Sequence, residues 1–138
     1  MEGFTLDPTL ARDTVKVCAM PRCEVLLMDD SRFPWLILVP RLPGIVEPFD
    51  LEPADLSAVM REGATAGRTL KSVTGCTKVN FGALGNIVRQ FHLHVVARSE
   101  SDPAWPGPVW GFGQREPYVP RFREGMRLKL AAALGAPD

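Results

Sequence analysis

The sequence predicts an α+β fold: an antiparallel sheet with one long helix and a C-terminal helix. Three observations predict it. Short β-compatible apolar runs are separated by turn residues, one long stretch between Pro53 and Gly75 repeats apolar residues at helical spacing, and a narrow apolar stripe recurs near the C-terminus.

Residues 1–20 mix Asp7-Pro8, Asp13 and Val15–Cys18, which reads as a short helix or loop leading into a strand. Glu24–Met28 is apolar and β-compatible, Asp29-Asp30-Ser31-Arg32 supplies turn residues, and Trp35–Val39 is a second strand closed by Pro40. Two such runs around a short polar turn read as a hairpin. Arg41–Phe49, with Pro43, Gly44 and Pro48, is loop. Pro53 suits the first turn of a helix, where its missing N–H costs nothing. Leu56, Val59, Met60, Ala64, Gly67 and Leu70 then share a face, and Gly75 ends the helix. Lys78–Phe81 is a third strand, Gly82–Asn86 a tight glycine loop, and Arg89–Arg98 a fourth strand.

Residues 101–120 hold five of the thirteen prolines, two of the three tryptophans and three glycines. That predicts ordered irregular structure, too aromatic for a flexible linker. Phe122, Met126, Leu130 and Leu134 sit four apart and give the C-terminal helix its stripe. The 138 residues are read as one domain, 1–138.

Composition narrows the class. An apolar fraction of 46% with 23% charged residues argues against a disordered chain. Sixteen basic residues balance sixteen acidic ones, so no global positive field draws the chain onto nucleic acid or an anionic membrane. No segment approaches the ~20 apolar residues that span a bilayer, and residues 1–20 lack the pattern of a secretory signal. Cys18, Cys23 and Cys76 are an odd number, in keeping with reduced thiols and a cytoplasmic protein.

The only two histidines lie two residues apart, in Gln90-Phe91-His92-Leu93-His94-Val95-Val96. In a strand Gln90, His92 and His94 project together at intervals of about 6.5 Å, while Phe91, Leu93 and Val95 face the core. Upstream, Gly82-Ala83-Leu84-Gly85-Asn86 offers backbone N–H groups that converge on an anion. Imidazoles beside an anion nest suit phosphoryl chemistry. They bring a neutral nucleophile and oriented donors, with no carboxylate to repel the phosphate.

The stretch from Lys78 through the glycine loop to Gln90-Phe91-His92-Leu93-His94-Val95-Val96 and Arg98 resembles the signature of the histidine triad (HIT) family of nucleotide hydrolases and transferases. Leu26–Asp29 and Trp35–Arg41 are similar to that family's nucleoside-binding hairpin, and the likeness spans residues 24–98. Three positions depart from the pattern. Gln90 stands at the first triad position, Trp35 where many members carry a further histidine, and Ile87 where a Ser or Thr is often found.

The resemblance implies that His92 attacks an α-phosphorus, that its other ring nitrogen is held by a backbone carbonyl, and that His94 and Gln90 complete the catalytic set. It implies Asp29, Asn80, Gly85, Asn86 and Trp35 as nucleotide and phosphate contacts, with Asp30 the alternative to Asp29. Leu26 and Phe33 are further candidates for the base wall. Arg89 and Arg98, flanking the histidines, read as solvated cations rather than phosphate ligands. The implied substrate is a dinucleoside polyphosphate or a nucleoside phosphoramidate. No tightly bound cofactor is implied, only a divalent cation such as magnesium accompanying the substrate, and the implied assembly is a homodimer.

Two other readings stand beside this one. His-x-His on a strand is common at metal centres, which need further ligands, and Cys18 and Cys23 are candidates for them; their spacing is looser than that of a zinc knuckle, and no ligand sequence brackets the glycine loop. A nucleotide-binding module without turnover is the other, motivated by Gln90 and Trp35.

Overall fold

The computed structural model of the chain describes residues 3–135. Its first helix, α1 (Pro8–Asp13), is opened by Asp7, whose carboxylate accepts from the N–H of Thr9 at 2.8 Å, with Pro8 in the first turn. It runs into β1 (Thr14–Ala19). β2 (Cys23–Met28) and β3 (Trp35–Pro40) form the expected hairpin around the polar turn. A single 3-10 turn at Pro48–Asp50 precedes α2 (Pro53–Thr74), which begins at its proline and ends at Gly75 in the left-handed conformation. β4 (Lys78–Gly82), β5 (Leu93–Arg98) and α3 (Pro120–Ala133) complete the chain.

The five strands form one antiparallel sheet in the order β1-β2-β3-β5-β4. Its two faces bury different clusters. Phe91, Leu93, Val95 and Ala97 pack with Val59, Ala66 and Leu70 of α2 and with Leu130 and Ala131 of α3. Trp35, Ile37 and Val39 of β3 pack on the opposite side with Val96, Phe33, Leu10 and Val109. Full burial of each Val, Leu, Ile or Phe side chain among these contributes roughly 1.5–3 kcal/mol.

The fourth expected strand is shorter than its sequence suggests. Residues 89–92 leave the ladder, and pairing begins at Leu38↔Leu93 on one side and Gly82↔His94 on the other. On one side the loop after Gly82 leaves residues 89–92 no strand to pair with, and on the other the pairing stops at Leu38 although β3 runs on to Pro40. The N–H of Phe91 instead donates to the carbonyl of Ile45 at 2.8 Å. Residues 99–118 are a run of turns and bends, ordered against the second face as the aromatic content predicts. Among the described residues no helix is long and apolar enough to cross a membrane.

Candidate active site

His94 sits in β5 opposite Gly82 and Ile37, on the face away from α2. Its diagonal neighbour on that face is Trp35, which pairs with Val96; aromatic side chains reach across such a diagonal. The indole Nε1–H donates to Nδ1 of His94 at 3.0 Å. An indole nitrogen only donates, so Nδ1 of His94 is the acceptor and its proton resides on Nε2. Trp110, from the turns after β5, stacks edge-on against the same ring with centroids 5.5 Å apart. Burial, and then the neighbouring His92, lower the pKa of His94 to about 3. Charging this ring would place a cation in a site with 6% exposure.

His92 lies two residues earlier, just before β5, its ring centroid 4.8 Å from that of His94. Its Nδ1 is 2.7 Å from the carbonyl oxygen of Gln90. A carbonyl only accepts, so Nδ1–H donates to it and Nε2 keeps its lone pair. The two imidazoles therefore hold opposite tautomers: His92 presents a nucleophilic nitrogen and His94 a neutral N–H donor.

Gln90 does not join them. Its side-chain oxygen accepts from the N–H of Asp7 at 2.8 Å, and its amide nitrogen donates to the carbonyl of Thr5 at 2.9 Å. The expected common projection holds for His92 and His94 but fails at Gln90, whose amide is drawn to the backbone of Thr5 and Asp7. What Gln90 gives the site is its backbone carbonyl.

Three cavities meet around the histidines, and Leu84 borders all of them. The one beside His94, about 320 Å³, has walls of Trp35, Trp110, Met28, Val109 and Ile87, with Asp30, Arg32 and Arg115 as its charged groups. A volume of that order accommodates a small organic ligand. On the His92 side a space of about 50 Å³ is bordered by Ala83, Gly85, Glu47 and Pro48. It adjoins one of about 220 Å³ bordered by Asn86, Arg89 and Glu47. Gly85 has φ of +73°, where a side chain is strained.

Of the residues expected as nucleotide contacts, Trp35, Gly85 and Asn86 border these cavities. Asp29 does not: its oxygens accept from the N–H of Tyr118 at 2.9 Å and from Arg123 at 3.0 Å. Asp30 is the acidic residue that reaches the cavity, paired there with Arg32 at 2.8 Å. Asn80 borders none of the three, and its side-chain oxygen accepts from Arg98 at 2.8 Å. Phe33 and Leu26 are core. Arg89 is exposed as expected, whereas Arg98 is a correction: it is 1% exposed, with Asp102, Asn80 and the carbonyl of Gly107 around its guanidinium.

Cys18 and Cys23 lie in the cluster under α2, across the sheet from His94. Among the described residues no group of three or more His, Cys, Asp or Glu side chains is placed to hold a metal ion.

The HIT domain matches residues 10–101. The chain belongs to the histidine triad (HIT) family. Likeness to solved HIT proteins runs over nearly the whole chain. A histidine triad protein from Sinorhizobium meliloti 1021 is 46% identical with a TM-score of 0.92, over 94% of this chain and 96% of that chain. Another, from Marinobacter aquaeolei VT8, is 40% identical with a TM-score of 0.93, over 96% of each chain. A hypothetical histidine triad nucleotide-binding protein from Sulfolobus tokodaii strain7, 11% identical over 88% of this chain and 84% of that chain, shares the fold at a TM-score of 0.69. No protein of curated function matches the chain. Membership places the chain in a family of nucleotide-binding proteins that are often nucleotide hydrolases.

Sequence reading of this HIT protein missed Trp110 and Val109 as walls of the site. The signal was present as the tryptophan- and glycine-rich run after β5, but nothing local says which tryptophan turns back onto the histidines. Gly82 carries the complementary signal. A Cβ there would stand 2.8 Å from the Trp110 ring, so only glycine admits the indole over β4.

Proposed function

We propose that this protein is a HIT-type hydrolase or nucleotidyl transferase. It acts at the α-phosphate of a dinucleoside polyphosphate or nucleoside phosphoramidate, through a nucleotidyl-His92 intermediate. The observation that carries the reading is the 2.7 Å contact from His92 Nδ1 to the carbonyl of Gln90, which leaves Nε2 as the nucleophile. The nucleoside occupies the apolar cavity against Trp35 and Trp110, and the phosphate lies over the two rings toward Gly85 and Asn86. The Nε2 lone pair forms the P–N bond as the leaving group departs with its electron pair. His94 and the loop amides stabilise the developing charge. Water then cleaves the P–N bond and releases a nucleoside monophosphate. Magnesium accompanies the substrate, and no resident cofactor takes part.

The working unit is proposed to be a cytoplasmic homodimer, which would cover part of the exposed apolar surface at Phe49, Met60 and Phe81. A monomeric mass by light scattering at micromolar concentration would refute the dimer.

The test of the chemistry is a single-turnover assay with an α-labelled diadenosine polyphosphate and, separately, an adenosine phosphoramidate. Wild type is expected to form an acid-labile, base-stable label and release AMP with at least one of the two, which ranks the substrate classes, whereas His92→Ala does neither with either. A second reading, a nucleotide binder without turnover, draws on the engagement of the Gln90 side chain with Thr5 and Asp7. Tight AMP binding with no label from either substrate would establish it.

A further inference from the structure

We infer that the site is selective by leaving group: it cleaves nucleoside phosphoanhydrides and is poor toward phosphoramidates of basic amines, because no described side chain around the histidines can hand a proton to the departing atom. This rests on His92-mediated nucleotidyl transfer and chooses between the two substrate classes which that reading leaves open.

Each candidate donor is accounted for. Gln90 has a neutral amide that carries no transferable proton, and both its polar atoms are engaged with the backbone of Thr5 and Asp7. His92 is the nucleophile, and its single proton is held against the carbonyl of Gln90 at 2.7 Å. His94 would need a second proton on Nδ1, but that nitrogen accepts from the indole N–H of Trp35 at 3.0 Å. Protonating it sets two hydrogens face to face in a nearly closed site, with His92 4.8 Å away. The low pKa of His94 agrees with this geometry. Giving up the Nε2 proton instead would leave an imidazolate. His94 is thus a fixed hydrogen-bond donor and no acid.

The other charged residues around the three cavities are Asp30, Glu47, Arg32, Arg89 and Arg115. Carboxylates accept, and a guanidinium does not release its proton.

The consequence follows from the electron count. When Nε2 of His92 bonds to the α-phosphorus of an anhydride, the bond to the bridging oxygen breaks. Its electron pair leaves on that oxygen, already stabilised as part of a phosphate, and no proton has to move. With a phosphoramidate the pair leaves on nitrogen. An alkylamine cannot depart as its anion, so the nitrogen must be protonated as the bond breaks, and nothing here does so. General-acid catalysis contributes roughly 10²–10⁴-fold where it operates, so its lack is readable.

The experiment is a single-turnover measurement of His92 labelling at saturating substrate. The probes share one nucleoside: P1,P3-diadenosine triphosphate, an adenosine alkylphosphoramidate, and adenosine arylphosphoramidates of decreasing amine basicity. The anhydride is expected to label wild type at least about 100-fold faster than the alkylphosphoramidate, the lower bound for a missing acid. The aryl compounds should fall between them, faster as the amine becomes less basic. Equal labelling by anhydride and alkylphosphoramidate, or a flat aryl series, would overturn the inference while leaving nucleotidyl transfer through His92 intact. No label from any probe would overturn both.

Discussion

Trp35 and His94 are joined across neighbouring strands by a 3.0 Å hydrogen bond in which the indole donates and the imidazole accepts. Its counterpart is the contact of His92 with the carbonyl of Gln90, so the two rings are fixed in opposite tautomers by groups that are not themselves titratable. In the nucleotidyl transfer proposed above, a site built this way would separate attack from charge stabilisation without sharing a proton between the histidines.

Replacing Trp35 by Phe keeps most of the packing and removes only the N–H. Loss of one such hydrogen bond, with the acceptor left buried, costs about 1–3 kcal/mol. His94 should then populate both tautomers, visible in long-range ¹H–¹⁵N correlation spectra, and labelling of His92 should slow by about fivefold, the lower end of that cost. A single Nε2–H tautomer in the Phe variant would show that the indole does not set it.

Acid should destabilise the protein through His94. The folded pKa lies near 3 against 6.5 for the unfolded group, so between these values the unfolded chain binds a proton that the folded one refuses. Stability then rises with pH across that window. The contribution of His94 is complete above pH 6.5 and declines as pH falls toward 3. Between pH 7 and pH 4 wild type should lose about 3 kcal/mol more than His94→Gln, at roughly 1.36 kcal/mol per pKa unit. Urea unfolding of both proteins at the two pH values measures the difference, and parallel losses would contradict it.

His94 was legible because alternation in a strand needs no tertiary information once apolar residues flank it, and His92, just before β5, still places its ring beside that of His94. The same holds for α2, whose proline and glycine mark its ends. Alternation misplaces Gln90, because only the fold reveals the N-terminal segment that engages its amide. Arg98 fails for a related reason. A charged residue at the end of a strand is ordinarily solvated, and the partners that bury it come from β4 and from turns that do not form until the chain is folded. Asp29 and Asp30, adjacent in sequence, are separated by register: one ties down the segment before α3 and the other borders the cavity.

Gly82→Ala tests whether Trp110 belongs to the site. The added Cβ would lie 2.8 Å from the ring, which must move off His94. Overpacking of this kind costs about 1–3 kcal/mol. Binding of AMP by titration calorimetry should weaken together with the rise in exposure of Trp110, followed by fluorescence. Unchanged affinity with a displaced indole would place the nucleoside elsewhere.

Asp102→Ala should be the most destabilising single change outside the site, and it should reach the site. Arg98 is buried against Asp102 at 2.8 Å, and its guanidinium also lies over the rings of Phe33 and Trp105. The Asp102 carboxylate further accepts from the N–H groups of Ser99, Ala104 and Trp105, so one side chain both neutralises a buried cation and folds the turns after β5. Removing it strands the guanidinium, at a cost of roughly 3–5 kcal/mol for a broken buried pair. Those same turns carry Val109 and Trp110 into the cavity wall, so AMP affinity should fall with stability. Arg98→Met in the Asp102→Ala background removes the stranded charge and should recover part of the loss in urea unfolding. A double variant no more stable than Asp102→Ala would mean that the carboxylate matters for its backbone contacts and not for the cation it faces.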